Sequence, residues 1–189
     1  MKDIKIKSGK QTWIAFFSQT GAEIADLAES TGKWPSRIIT NERPNDARTI
    51  DPRIEEKGYF TFSNKPKVNE YLDVLQYFPD AIITLHGWLR ILPSEVTQSF
   101  NIFNGHPGLI TVYPELKGKD PQIRAFEAKH EVMGCVIHKV VEGVDEGKVL
   151  KEIRFNAFSI TEEEMWKVFK DRSLYLWIEF TNELFGNKK

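Results

Sequence analysis

The stretch TWIAFFSQTGAEIADLAESTGKWPSRIIT, residues 12–40, contains a strand, a turn, a helix and a second strand. The continuous apolar run at residues 12–17 predicts a strand buried on both faces. Ile24, Leu27 and Ala28 recur at helical spacing, and Gly32 follows as a helix terminator. Because two strands joined through a helix run parallel, this stretch predicts the first half of a parallel sheet.

The same alternation continues along the chain to residue 104. GYFTF (58–62), AIITL (81–85) and NIFN (101–104) are strand candidates. A helix separates the first two, since one helical face carries Val68, Tyr71, Leu72, Leu75 and Phe78. A short helix is predicted over residues 93–100. The fold class is therefore α/β: an open, mostly parallel, Rossmann-like sheet with helices on both faces.

The pattern changes in the C-terminal third. Residues 120–130 are typical of a helix, and residues 133–155 predict two strands joined through the turn EGVDEG (142–147), hence an antiparallel pair. A long amphipathic helix follows over residues 159–185, with Thr161 and Glu164 as a capping box. We expect one domain over residues 1–189, of which 1–11 form a flexible or edge N-terminus.

Composition restricts the class of protein. With 26 Lys and Arg against 27 Asp and Glu, the charge is nearly balanced, so a nucleic-acid partner is not expected. Cys135 is the only cysteine, and no signal peptide or membrane-spanning run is present, so we expect a cytoplasmic protein without membrane contact. The four histidines (86, 106, 130 and 138) lack ligand spacing, so no metal is expected.

Three polar loops follow predicted strands: SQTGAE (18–23), HGWLRIL (86–92) and NGHPG (104–108). In an open α/β sheet, ligands bind beyond the carboxyl ends of the strands, which makes Asn104 and His106 candidate functional residues. Asp145 lies in the turn at 142–147, where its carboxylate is expected to orient the imidazole and favour the imidazolium. The alternatives are that Asn104 only caps a turn, that His106 is a surface or core histidine with one ordinary hydrogen bond, and that Asp145 is a simple turn aspartate.

Three segments, in this order, resemble the folate-dependent formyltransferases, closest to those that formylate glycinamide ribonucleotide in purine biosynthesis. They are LHGWLRIL (85–92), NGHPG (104–108) and GCVIHKVVEGVDEGKVL (134–150). The resemblance implies the formyltransferase fold and a catalytic trio of Asn104, His106 and Asp145. His138 also matches a histidine of the family. The implied folate-binding residues are Leu89, Arg90, Ile91, Leu92, Val140, Val141, Glu142, Gly143 and Val144. The implied acceptor-binding residues are Ser18, Gln19, Thr20, Gly21, Pro107, Gly108 and Asp171.

The activity implied is transfer of the formyl group of 10-formyltetrahydrofolate, a co-substrate, to a primary amine without a metal. Asn104 and a protonated His106 would donate hydrogen bonds to the oxyanion, with Asp145 keeping the imidazole charged. Asp145 would also hold a water that carries the amine proton to the leaving nitrogen. The alternatives are another acceptor, such as an amino sugar nucleotide, and a non-catalytic folate- or nucleotide-binding relative.

The chain departs from the family on its acceptor side. Glu23 stands where a neutral asparagine is usual, residues 108–111 read GLIT after His-Pro, and YPELKGKDP (113–121) carries extra residues. Few residues follow the last predicted helix, which favours the stand-alone, ribonucleotide-type member. The sequence does not decide between a monomer and a homo-oligomer.

Overall fold

The computed structural model describes residues 12–43 and 48–186, so the prediction for residues 1–11 lies outside the described residues. The strands are Trp13–Phe17 (β1), Arg37–Asn41 (β2), Phe60–Phe62 (β3), Ile82–His86 (β4), Asn101–His106 (β5), Val132–Lys139 (β6) and Val149–Asn156 (β7). The α-helices are Ala22–Thr31 (α1), Pro52–Lys57 (α2), Val68–Leu75 (α3), Ser94–Ser99 (α4), Pro121–Glu127 (α5) and Glu162–Phe185 (α6). A short 3₁₀ helix spans Pro114–Leu116.

The seven described strands form one sheet in the order β3-β2-β1-β4-β5-β6-β7. The first five strands pair in parallel, whereas β6 runs antiparallel to both β5 and β7. The predicted α/β class and the antiparallel pair near the C-terminus are confirmed. Helix α2 was not predicted, although Asp51 caps it by accepting a hydrogen bond from the Arg53 amide and Pro52 occupies its first turn.

The strands β1 and β4 are apolar because side chains on both of their faces are buried. Ile14 and Phe16 pack with Tyr71 of α3 on one face, while Trp13 packs on the other face in a cluster with Trp177 of α6. Burial of a large apolar side chain contributes about 1.5–3 kcal/mol. These two layers of helices hold the carboxyl ends of the central strands in fixed positions.

Helix α6 crosses the sheet face that also carries α1. Its first turn is closed by the predicted capping box, in which Thr161 and Glu164 satisfy each other's backbone amides. Its inner side is buried through Met165, Phe169, Leu176, Trp177 and Phe180. No helix within the two described ranges is long and apolar enough to span a membrane.

Candidate active site

A cleft of about 760 Å³ opens at the carboxyl ends of β4 and β5, beside the end of β1. This is where the strand order reverses, because β1 leads to β2 on one side and neighbours β4 on the other. The lining residues are Gln19, Arg48, Leu85, Gly87, Trp88, Leu89, Arg90, Ile91, Leu92, Asn104, Gly105, His106, Pro107, Gly118, Lys119, Asp120, Pro121, Gln122, His138, Val140, Val141, Glu142, Gly143, Val144 and Asp145.

The cleft brings together most of the residues expected from sequence. All three proposed catalytic residues and all nine proposed folate-binding residues line it, as do Gln19 and Pro107. The remaining expected acceptor-binding residues are not among the lining residues: Ser18, Thr20, Gly21, Gly108 and Asp171. Asp171 is exposed on α6, whereas Ser18 is buried. Of the residues expected to bind the acceptor, only Gln19 and Pro107 thus line this cleft.

The carboxylate of Asp145 lies between two histidines. Its Oδ2 is 3.2 Å from Nδ1 of His106, and its Oδ1 is 3.2 Å from Nε2 of His138. The Gly118 amide also donates to Oδ2 at 2.8 Å. Asp145 adopts a left-handed backbone conformation, with φ of 52°, which is uncommon for a residue other than glycine. This conformation places the carboxylate of a turn residue over the end of β5.

Asn104 joins the same cluster through its amide nitrogen, Nδ2. It lies 3.2 Å from Nε2 of His138 and 3.5 Å from Oδ1 of Asp145. Asn104 and His138 are direct cross-strand partners in the β5–β6 pair, so the sheet register brings them together. Because the 3.5 Å contact is at the weak limit of a hydrogen bond, that N–H can turn to a substrate oxygen at small cost.

Burial and the Asp145 carboxylate have opposite effects on the pKa of His106. Burial of the imidazole lowers its pKa below the ordinary value, and the opposing influence of the Asp145 carboxylate and the Leu116 carbonyl does not overcome this. His138 and Arg124 lower the pKa further through their charges. Burial thus favours the neutral ring in the free protein, against the imidazolium that Asp145 is expected to maintain. His106 is buried, with 5% of its surface exposed.

Both ring nitrogens of His106 nevertheless face oxygen acceptors. Nε2 donates to the Leu116 carbonyl at 3.0 Å, which assigns the proton of the neutral ring to Nε2 and leaves the lone pair on Nδ1. Nδ1 faces Asp145, whose own burial raises its pKa but whose contacts with His138, His106 and the Gly118 amide lower the pKa on balance. An imidazolium formed at His106 would thus meet an acceptor on each side. The neutral ring is placed to take up a proton at Nδ1.

Three contributors to this cluster were not singled out as site residues from the sequence: His138, Leu116 and Gly118. His138 had been noticed only as a match to a family histidine. Leu116 and Gly118 contribute backbone groups, and backbone groups carry no signature in residue type. They belong to the rim loop, defined here as residues 114–119.

The other half of the cleft is apolar and open. Leu89 and Ile91 expose 55% and 77% of their surface there, and Val141 and Val144 are also exposed. Exposed apolar side chains that converge on one concave surface indicate a site for a flat apolar ligand. The loop at residues 86–92, which carries Leu89 and Ile91, is fixed by buried Ser18. The Ser18 hydroxyl accepts a hydrogen bond from the Leu89 amide at 2.9 Å and donates one to Asn41 at 2.6 Å. Ser18 therefore shapes the cleft from behind.

The first turn of α1 holds a carboxylate next to the cleft. Glu23 Oε2 accepts from Nδ1 of His86 at 2.8 Å, and its other oxygen accepts from the Ser173 hydroxyl. Burial raises the pKa of Glu23, but the hydrogen bonds and charge of His86 together with Ser173 lower it on balance, so Glu23 is ionised. The aromatic ring of His86 lies 4.4 Å from that of Trp177. This network joins α1, β4 and α6.

No cluster of three or more His, Cys, Asp or Glu side chains suited to a metal ion occurs among residues 12–43 and 48–186. Cys135 is buried, and burial raises the pKa of its thiol, so it is not an activated nucleophile. The chemistry available in the cleft is hydrogen-bond donation by Asn104 and proton transfer at His106.

The sequence and fold are similar to known proteins. The chain is 29% identical over 168 residues to the trifunctional purine biosynthetic protein adenosine-3 of Homo sapiens, a match that covers 77% of this chain and 16% of that protein. It is 27% identical over 161 residues to a phosphoribosylglycinamide formyltransferase of Bacillus subtilis, covering 80% and 78% of the two chains. The chain spans only 10–16% of the trifunctional relatives from human, cattle and chicken.

Solved structures share the fold. Phosphoribosylglycinamide formyltransferase from Bacillus halodurans superposes with a TM-score of 0.79 at 18% identity, covering 95% of this chain and 97% of that one. Glycinamide ribonucleotide transformylase 1 from Geobacillus kaustophilus also gives 0.79, at 20% identity, covering 94% and 100%. Residues 15–173 match the family described as formyl transferase, and this match spans most of the chain. The chain belongs to the formyl transferase family.

Proposed function

We propose that this protein transfers the formyl group of 10-formyltetrahydrofolate to the primary amine of a small acceptor, with glycinamide ribonucleotide as the first candidate. The observation that carries the proposal is the convergence of Asn104, His106 and Asp145 on one cleft at the end of β5. Membership of the formyl transferase family and the similarity to phosphoribosylglycinamide formyltransferases support it.

The apolar half of the cleft would hold the pteridine of the folate co-substrate. Leu89, Ile91, Val141 and Val144 offer the apolar surface that such a ring requires. Peptide groups of the two loops that carry them would supply the hydrogen bonds. Arg90 is held in place by hydrogen bonds to both oxygens of Asn64, and this fixes the mouth of the cleft.

Asn104 would stabilise the transition state. When an amine attacks the formyl carbon, negative charge develops on the formyl oxygen. The amide N–H of Asn104 that makes only a 3.5 Å contact with Asp145 is the donor available to this oxygen. Loss of one such donor typically lowers the rate about 10²–10³-fold.

His106 would act as the base. Its neutral ring would take up the proton of the attacking amine at Nδ1 by way of Asp145, whose carboxylate faces Nδ1 from 3.2 Å, or of a water held by that carboxylate. The imidazolium that results is stabilised by the Asp145 carboxylate and by the Leu116 carbonyl. The same proton is then given to the leaving nitrogen. In this account Asp145 stabilises a transient charge instead of maintaining a permanent one.

The test is an assay of the purified protein with 10-formyltetrahydrofolate and two acceptors, glycinamide ribonucleotide and an amino sugar nucleotide, with formylated product identified by mass spectrometry. We expect the ribonucleotide to be formylated. His106→Asn and Asp145→Asn should each lower kcat about 10²-fold or more. Asp73→Asn, a matched change at an exposed position on α3, should leave it unchanged.

The outcomes separate the alternatives. Formylation of the amino sugar nucleotide alone would reject the first acceptor but keep the reaction. Binding of the folate without transfer to either acceptor would favour a non-catalytic relative. Full activity of both His106→Asn and Asp145→Asn would reject the mechanism.

A further inference from the structure

The guanidinium of Arg124, on α5, organises the rim loop. It donates to four backbone carbonyls: Lys119 at 3.0 Å, Leu116 at 3.1 Å, Lys117 at 2.7 Å and Glu115. A guanidinium has five N–H donors in a fixed fork, so one arginine side chain satisfies a whole turn of irregular backbone. The rim loop is therefore held by Arg124 and not by regular hydrogen bonding alone.

The rim loop touches both members of the catalytic pair. The Leu116 carbonyl accepts from Arg124 and also from Nε2 of His106, at 3.0 Å. The Gly118 amide donates to Oδ2 of Asp145 at 2.8 Å. A carbonyl oxygen has two lone pairs, so Leu116 can accept both hydrogen bonds at once. Arg124 is thus linked to the His106 imidazole through the Leu116 carbonyl. The Gly118 amide that contacts Asp145 lies two residues further along the same loop.

We infer that Arg124 is a positioning residue for formyl transfer, which sets the place and the protonation of the His106–Asp145 pair through the carbonyls of the rim loop. The inference rests on the proposed function for its effect on turnover, but not for its effect on His106 in the free protein. Nothing in the reaction requires Arg124 to touch a substrate.

Two effects act on the titration of His106, in opposite directions. Without the guanidinium, the Leu116 carbonyl loses a donor that holds it against the ring, and weakening of its hydrogen bond to Nε2 lowers the pKa of His106. The positive charge that opposes an imidazolium is also lost, which raises this pKa. The other charged groups facing His106 are Asp145 from the turn after β6 and His138 from β6 itself. Lys119, Asp120 and Glu142 line the same cleft. Since these groups are unchanged by substitution of Arg124, a change in His106 titration can be assigned to the arginine.

The test compares Arg124→Gln with Arg124→Lys. The ¹⁵N or ¹³C resonances of His106, assigned by their loss in His106→Asn, report its titration in the free protein without substrate. We expect the pKa of His106 to fall in Arg124→Lys, which keeps the charge but lacks the fork, and to be higher in Arg124→Gln than in Arg124→Lys, because the charge is then lost as well. We expect kcat to be lower in both variants, by roughly 10- to 100-fold in Arg124→Gln, while KM for the folate changes little.

Arg154→Gln is the matched control, because this arginine is on β7 and pairs with Glu152, away from the cleft lining. It should leave both titration and kcat as in the wild type. Circular dichroism and thermal unfolding establish that each variant is folded. If Arg124→Gln and Arg124→Lys both fold, and His106 titrates in both as in the wild type with kcat within about twofold, Arg124 only stabilises the fold and the inference is wrong. A shifted titration in a protein that formylates no acceptor would keep the positioning role and reject the proposed function instead.

Discussion

At the scale of single residues, the two carboxylates near the cleft act on different partners. Asp145 contacts the two histidines of the candidate site, whereas Glu23 contacts His86 behind it. Both pKa values are lowered because hydrogen bonds and nearby charges outweigh burial. Residue type alone does not distinguish the roles of Asp145 and Glu23. The contact of Asp145 with His106, which Glu23 lacks, does distinguish them.

The pH dependence of turnover tests the protonation state of His106. Its pKa is lowered, so the neutral base persists to lower pH than for an ordinary histidine, and kcat/KM should fall only as pH drops through that lowered value. Asp145 raises the pKa of His106, so Asp145→Asn should move the acid limb to still lower pH while lowering kcat. The measurement is the pH–rate profile of both proteins. An acid limb that moves to higher pH in Asp145→Asn contradicts this account.

At the scale of elements, α6 packs closely against β5 at Gly105, between Asn104 and His106. A Cβ at this position would lie 2.7 Å from Nε1 of Trp177, whose ring is fully buried and has no room to move. The glycine is needed for this close approach, not for an unusual backbone conformation. Helix α6 therefore helps to set the position of the strand that carries two site residues.

Gly105→Ala tests this packing. We expect a loss of about 1–3 kcal/mol in the free energy of unfolding, because overpacking in a close-packed interior displaces backbone. We also expect lower kcat, since both neighbours on β5 belong to the candidate site. The measurement is urea denaturation together with kcat.

Trp177→Phe, which removes the indole Nε1 that would clash, provides the second single variant of a double-mutant cycle. The double variant should recover part of the loss caused by Gly105→Ala. Additive losses would show that the two residues do not interact.

At the scale of the whole molecule, the network around Glu23 connects four elements: β1, α1, β4 and α6. Trp13 donates to the Thr84 hydroxyl at 2.8 Å, this hydroxyl lies 2.9 Å from Nε2 of His86, and His86 donates to Glu23. Ser173 of α6 completes the network. Polar groups enclosed in this way are costly when a partner is removed.

Glu23→Gln should lower the free energy of unfolding by about 1–3 kcal/mol at neutral pH. The sign of the pH dependence follows from the lowered pKa of Glu23. Its stabilisation is present above the pKa of an unfolded glutamate and is lost as pH falls through the folded-state pKa. The two proteins should therefore converge in stability at acid pH. Glu29→Gln is the control on the same helix, α1. It removes an exposed partner of Arg53 and should change the free energy of unfolding by less than about 1 kcal/mol.

Much of the fold was predictable because buried strands and amphipathic helices leave periodic patterns. The runs that became β1, β4 and α3 and the capping box of α6 were all visible in the chain. Helix α2 was missed because six residues are too few for a clear period. The residue types of the candidate site came from the resemblance to a family. The lowered pKa of His106 did not, because it depends on burial in the folded protein.

By itself, the sequence determined the α/β class, the antiparallel pair and the segments that carry Asn104, His106 and Asp145. It did so because hydrophobic periodicity and turn residues are local properties. Only the tertiary structure decided which groups meet: His138 with Asn104 across the β5–β6 register, the rim loop with His106 and Asp145, and Glu23 with His86. Register, burial and electrostatic interactions depend on distances between residues far apart in the chain, and those distances exist only after folding.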